Sequence, residues 1–144
     1  MRKYLFPLLF LPLLFAACKK KSNTYTVMTL YVSGDSTWST TNVTAITQID
    51  GSVVITGTYN PTYETISLTL AGYREGRKTY YIGSGTIAGY SYGSSAAYNY
   101  STSIVNATDG QIAITNYTVH TMDGTFDFHD NKVHVSGTFK APIP

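Results

Sequence analysis

The chain predicts an all-β domain, an antiparallel meander of about eight to ten strands forming a sandwich or a barrel. Three observations carry this expectation. Apolar and polar residues alternate with a period of two, the mark of half-buried strands, and no stretch has helical periodicity. Tight-turn dipeptides separate the alternating segments. The gaps between them are too short for a helical crossover of a dozen or more residues, so neighbouring strands must run antiparallel.

Taken in order, the first elements are not strands. Met1, Arg2 and Lys3 are followed by an apolar run from Leu5 to Phe15. The run is about half the roughly 20 residues a spanning helix needs, and Pro7 and Pro12 interrupt it. Small residues Ala16 and Ala17 then precede Cys18. A short apolar core ending in small residues is the pattern of a cleaved signal peptide, placed here at residues 1–17. Leu14-Phe15-Ala16-Ala17-Cys18 resembles the lipobox of bacterial lipoproteins, with Phe15 where that family usually has Leu, Val or Ile. The resemblance implies lipidation of Cys18, cleavage just before it, and a membrane partner reached through the lipid. Residues 18–23 then form a basic tether, with Lys19, Lys20 and Lys21 at the headgroups.

The leader changes the meaning of the charge. The whole chain has 10 Lys and Arg against 8 Asp and Glu, formally +2. From Ser22 onward only Arg74, Arg77, Lys78, Lys132 and Lys140 remain against the same 8 acids, a net charge of −3. A nucleic-acid partner is therefore not expected, because the basic residues belong to the leader and tether. Cys18 is the only cysteine, so the domain over 24–144 must be held by its core rather than by disulfides.

Within that domain strands are expected at about 24–33, with Met28, Leu30 and Val32 inward, then at 42–49 and 52–59. Gly34–Thr41 reads as a loop carrying Trp38. Asp50-Gly51 reads as a two-residue hairpin turn. In Glu64–Ala71, Ile66, Leu68 and Leu70 face one side and Thr65, Ser67 and Thr69 the other. Further strands are expected at about 78–83, 86–92, 96–104, 110–116, 118–129 and 132–140. Asn60-Pro61, Glu75-Gly76 and Asp109-Gly110 mark reversals between strands. Asp130-Asn131 predicts a last hairpin in which Phe128 faces Val133 and Phe126 faces Val135.

The C-terminal third carries a family likeness. Asp109-Gly110-Gln111-Ile112-Ala113-Ile114-Thr115 is followed by Gly124-Thr125-Phe126-Asp127-Phe128 and by Val133-His134-Val135-Ser136-Gly137-Thr138-Phe139. These strands, with Ile55–Tyr59 and Ile66–Leu68, resemble a family of small uncharacterised lipoproteins of Bacteroidota. The likeness implies a secreted all-β lipoprotein with no assigned activity, and no catalytic residues come with it. Relatives often carry acidic residues after the cysteine, whereas this tether is lysine. That difference points to the periplasmic face of the outer membrane rather than to the cell surface.

Three groups of residues are candidates for function. A hairpin with its loop at 93–97 would pair Tyr92 with Tyr98 and Tyr90 with Tyr100. Four rings would then share one face, where they could stack a sugar or a peptide. Trp38 is a further candidate contact, or a cap on the core. Asp127, His129 and His134 share the wet side of the last hairpin and are a weak candidate metal set, although a solvated face reads better. No catalytic residues and no cofactor are expected. The chain lacks a G-x-S-x-G elbow, an H-E-x-x-H motif and a P-loop, and its two glutamates, Glu64 and Glu75, have no identifiable partner. The expectation is a non-enzymatic module binding a glycan or peptide. The alternatives are a scaffold lipoprotein with an envelope-protein partner, or a lipocalin-like barrel holding a small apolar ligand.

Overall fold

The computed structural model describes residues 25–33, 35–83, 85–87 and 90–144. The expected signal segment 1–17, Cys18 and the expected tether through residue 23 lie outside the described residues. Among the described residues there are thirteen strands and no helix. They are β1 (Val27–Val32), β2 (Asp35–Thr40), β3 (Val43–Thr47), β4 (Val53–Tyr59), β5 (Glu64–Leu70), β6 (Thr79–Ile82), β7 (Gly85–Ile87), β8 (Tyr90–Tyr92), β9 (Ser95–Tyr100), β10 (Ser103–Asn106), β11 (Asp109–Tyr117), β12 (Thr121–His129) and β13 (His134–Pro142). Sheet A has the order β2-β1-β13-β12-β11-β6, and sheet B the order β10-β9-β5-β4-β3. The two pack face to face as a sandwich that is not closed into a barrel, and β7 and β8 form a separate ribbon.

The strand count exceeds the expected eight to ten because two long segments are cut and one loop is a strand. Residues 34–41, expected as a loop, contain β2, which pairs with β1 and buries Trp38. The 96–104 segment turns at Ser101, whose φ is +51, and becomes β9 and β10. The 86–92 segment divides into β7 and β8. The chain is also not a plain meander. β1 pairs with β13, β6 with β11 and β5 with β9, all distant in sequence.

Alternation sorts the faces as expected. Ile66, Leu68 and Leu70 are fully buried while Thr65, Ser67 and Thr69 lie on the opposite side. Met28, Leu30, Ile55, Ile112, Phe126 and Phe128 complete the centre of the core. Full burial of each such side chain is worth about 1.5–3 kcal/mol.

Turn chemistry explains where the registers differ from expectation. In the last hairpin Phe128 faces Val135 and His129 faces His134, two residues away from the expected pairing. Asp130 is the reason. Its Oδ1 accepts the backbone N–H of Lys132 and of Val133, each at 2.7 Å, and its own N–H bonds the Val133 carbonyl. That closes a four-residue loop over 130–133. A shift of two residues keeps every side chain on its face, so the apolar and wet faces are those expected. Asp50-Gly51 sits in a longer loop than two residues, because Thr47 already pairs with Val53 and the Gly51 N–H bonds the Gln48 carbonyl. Asp109-Gly110 is not a reversal at all and opens β11. Gly110 holds φ +140, and a Cβ there would sit 2.3 Å from the Asp127 carbonyl oxygen. The glycine marks a close strand approach rather than a turn.

Candidate functional site

The outer face of sheet A gathers the polar chemistry of the domain. β11, β12 and β13 each bury alternate residues and turn the others outward. The registers then align Tyr31, Ser136, Asp127, Gln111 and Tyr81 in one row across β1, β13, β12, β11 and β6. A parallel row holds Thr29, Thr138, Thr125, Ala113 and Thr79. Tyr31 is 51% exposed and Tyr81 39% exposed. They stand four strand steps apart, roughly 19 Å at about 4.8 Å per step.

Toward the end of the face where the β12–β13 hairpin turns, the groups become ionisable. His134 Nε2 lies 3.0 Å from Asp127 Oδ2, with both side chains about half exposed. Asp109 faces His129, which in turn faces His134. Two open grooves meet at this corner. One, of about 270 Å³, is lined by Tyr81, Asp109, Gly110, Gln111, Asp127 and His129. The other, of about 280 Å³, runs over Ser33 and residues 129–134. Backbone hydrogen bonds from Lys132 and Val133 hold the Asp130 carboxyl below the usual carboxylate range.

Of the three candidate metal ligands, Asp127 and His134 meet, but Asp127 lies diagonal to His134 rather than opposite it. Among the described residues no group of three His, Cys, Asp or Glu side chains is placed to hold a metal ion.

The expected tyrosine face is not formed. β8, which contains Tyr90 and Tyr92, pairs with β7, and the side chains of these two tyrosines lie outside the described atoms. β9, which contains Tyr98 and Tyr100, pairs with β5 and β10. Tyr98 is only 2% exposed and its ring stacks on Tyr100 at 5.2 Å. Its hydroxyl donates to Glu64 Oε2 at 2.5 Å. Burial, and then the Glu64 carboxylate, push the Tyr98 phenol up to about 12. Trp38 is 5% exposed and stacks on Tyr59 at 5.4 Å, so it caps the core and does not offer itself to a ligand. The local pattern placed Tyr98 and Tyr100 on one face, which is right. That face is the inner one, because β9 is paired between β5 and β10 and not with β8.

Tyr31 and Tyr81 were missed. Their signal was present in the alternation. Tyr31 stands between inward Leu30 and half-buried Val32, and Tyr81 between buried Tyr80 and Ile82.

Comparison with known proteins places the fold in a family. A family model described as a domain of unknown function (DUF6252) matches residues 31–141. The chain belongs to the DUF6252 family. No curated protein and no solved structure matches it. The matched span of the DUF6252 domain includes both Gly-Thr-Phe segments noted in the sequence, and the structure gives them a packing role. Gly124 faces Phe139, and Phe126 faces Gly137, across the β12–β13 pair. A Cβ on Gly124 would lie 2.4 Å from the Phe139 ring, and one on Gly137 would lie 2.4 Å from the Phe126 ring and 2.1 Å from the Thr29 carbonyl oxygen. Each phenylalanine thus covers the glycine opposite it, a reciprocal form of aromatic rescue. These residues build sheet A and are not themselves part of the outer face.

Proposed function

We propose that this protein is a lipid-anchored lipoprotein of the bacterial envelope, held at the periplasmic side of the outer membrane, whose domain binds an extended glycan without catalysis. The observation that carries the binding reading is the row Tyr31–Ser136–Asp127–Gln111–Tyr81. Exposed tyrosine rings at its two ends offer apolar stacking surfaces with polar tips. Between them stand hydrogen-bonding side chains on the outer face of the sheet, which suits the hydroxyls of a sugar chain. A peptide fits this face less well. Sheets usually recognise extended peptides by backbone pairing at an edge strand, and here the recognition elements are side chains on a face. Glu64 is engaged by the Tyr98 hydroxyl rather than presented to a groove, which supports binding over catalysis. The sandwich core is filled by aromatic and aliphatic side chains, so the lipocalin-like alternative, which requires a closed barrel, is withdrawn. The anchor reading is supported by the Leu14–Cys18 pattern and the three lysines that follow it.

A glycan array probed with the full-length protein in detergent tests the binding reading. Binding that is lost in the Tyr31→Ala, Tyr81→Ala double variant is the expected result. A folded protein that binds no glycan, or binds equally well without both rings, would sink it and favour a protein partner. For the anchor, Cys18→Ala should release the protein from the membrane fraction and leave the domain folded.

A further inference from the structure

One end of the sandwich collects exposed apolar side chains that neither the core nor the sheet A row uses. It is the end from which the chain continues toward Cys18. β1 starts there, with Val27 opposite Lys140 near the end of β13, and Thr121 opens β12 opposite Pro142. The Ile143 N–H bonds the His120 carbonyl, tying in the β11–β12 turn. The Thr26 hydroxyl bonds the Thr41 carbonyl, tying in the β2–β3 turn. The Thr40 hydroxyl bonds the Thr58 carbonyl, which brings the β4–β5 turn alongside. A groove of about 330 Å³ runs from Tyr25 to Pro61 across these turns. On this end Tyr25 is 65% exposed, Tyr63 85% and Val119 87%. Tyr63 also holds φ +56, a backbone region that favours glycine or asparagine over a bulky ring.

Charge divides along the same axis. Among the described residues the far end carries Asp50, Asp109, Asp127 and Asp130, with Lys132 as its one lysine or arginine by position in the strands and turns. The near end has Lys140 and the β5–β6 loop with Arg74, Arg77 and Lys78. That loop is held against the end of β11 by the Tyr117 hydroxyl on the Arg77 carbonyl. Of the three acids toward this end, Glu64 is bonded to Tyr98 and Asp123 lies 3.8 Å from Lys140, leaving Glu75. The acidic end therefore points away from Tyr25, where the described chain begins.

We infer that the Tyr25–Tyr63–Val119 end is a docking surface for the headgroup region of an anionic bilayer. The inference rests on the anchor reading above. Seven chain steps lead from Cys18 to Tyr25, which at about 3.6 Å each allows at most roughly 25 Å between lipid and domain. Tyrosines are suited to the interface because one part of the ring is apolar and the tip is wet. Basic residues beside them gain from an anionic surface, and the acidic end is kept away from it. Docking in this orientation stands the strands upright, so the Tyr31–Tyr81 row and the Asp109–His134 corner face sideways and outward, clear of the membrane.

The test uses the full-length protein reconstituted into vesicles of phosphatidylethanolamine and phosphatidylglycerol, with single reporter cysteines at Val119→Cys or, at the far end, Ile49→Cys. Each is labelled with a thiol-reactive fluorophore. The expected result is several-fold weaker iodide quenching at 119 than at 49, together with quenching of 119 alone by lipids spin-labelled at the headgroup. Equal access of iodide to both labels overturns the docking surface and leaves the anchor standing. Shielding of 119 from iodide without quenching by spin-labelled lipid also overturns it, and points to a second copy or another protein on this end. The unmodified chain is the control for the anchor, because a lipidated Cys18 takes no label. Labelling of that chain would overturn the anchor reading and the docking surface with it.

Discussion

The outer faces of the two sheets are written in a similar alphabet and end up chemically different. On sheet B the outward residues are Thr44 and Ile46 from β3, Val54, Thr56 and Thr58 from β4, Thr65, Ser67 and Thr69 from β5, Ser95, Ala97 and Asn99 from β9, and Ile104 and Asn106 from β10. None of these is charged. On sheet A the same threonine background carries Asp109, Asp127, His129, His134 and the two exposed tyrosines. Abundant threonine and tyrosine therefore say that a segment is a strand, but do not say which strand presents function. What separates the faces is which alternate positions hold ionisable or aromatic groups, and whether the fold aligns them across strands.

The largest test of this difference concerns what lies beneath each face. Phe126 packs over Gly137 at the centre of sheet A, so Phe126→Ala should destabilise the domain by about 3–5 kcal/mol. Thr56→Ala on the outer face of sheet B should stay within about 0.5 kcal/mol. Urea unfolding of both variants checks the contrast, and similar midpoints would show that the reciprocal Gly–Phe packing is not what holds sheet A together.

Binding is the next comparison. Losing an aromatic ring that anchors a ligand weakens binding by more than about 1 kcal/mol. Tyr31→Ala and Tyr81→Ala should therefore each reduce glycan affinity at least about fivefold, while Thr56→Ala and Ser67→Ala on sheet B leave it unchanged. Titration calorimetry on the array hit reads this directly, and equal losses on the two faces would erase the distinction drawn between them.

Alkali should act on the interior rather than on either face. Tyr98 has its phenol raised from 10.0 to about 12, and Tyr117 and Tyr80 are raised by burial in the same direction. A raised folded-state value means the neutral phenol is favoured in the fold. The stabilisation from Tyr98 is intact below pH 10 and is lost as pH rises through about 12. Unfolding midpoints should fall over that window, and Tyr98→Phe should flatten part of the fall.

The smallest effect is expected from the His134–Asp127 contact on the sheet A face. Asp127 and His134 are about half exposed, so Asp127→Asn should change stability by only about 0.2–1 kcal/mol. High salt should reduce even that difference. If the variant loses more, the corner is structural rather than a surface available to a ligand.

Much of the fold was legible because alternation is a local signal. Ile66, Leu68 and Leu70 inward, and Phe126 and Phe128 opposite His129 and Asp127, follow from the period of two alone. The Asp130 loop moved the last hairpin by two residues, and the faces survived because an even shift leaves side chains where they were. The tyrosine hairpin failed for a different reason. Tyr98 finds Glu64 and Tyr31 finds Ser136 across long stretches of chain, and no turn dipeptide announces such partners.

By itself, then, the sequence determined the strand class and the inner and outer sides of each strand. Those depend on residue type and near-neighbour spacing. Only the tertiary structure decided that Tyr98 and Trp38 belong to the core, that Tyr31 and Tyr81 share a row, and that Tyr25, Tyr63 and Val119 meet at one end. Those depend on pairings such as β1 with β13 and β5 with β9, where chain distant in sequence is brought together because burying both sheets' apolar faces against each other removes more apolar surface from water than local hairpins alone would.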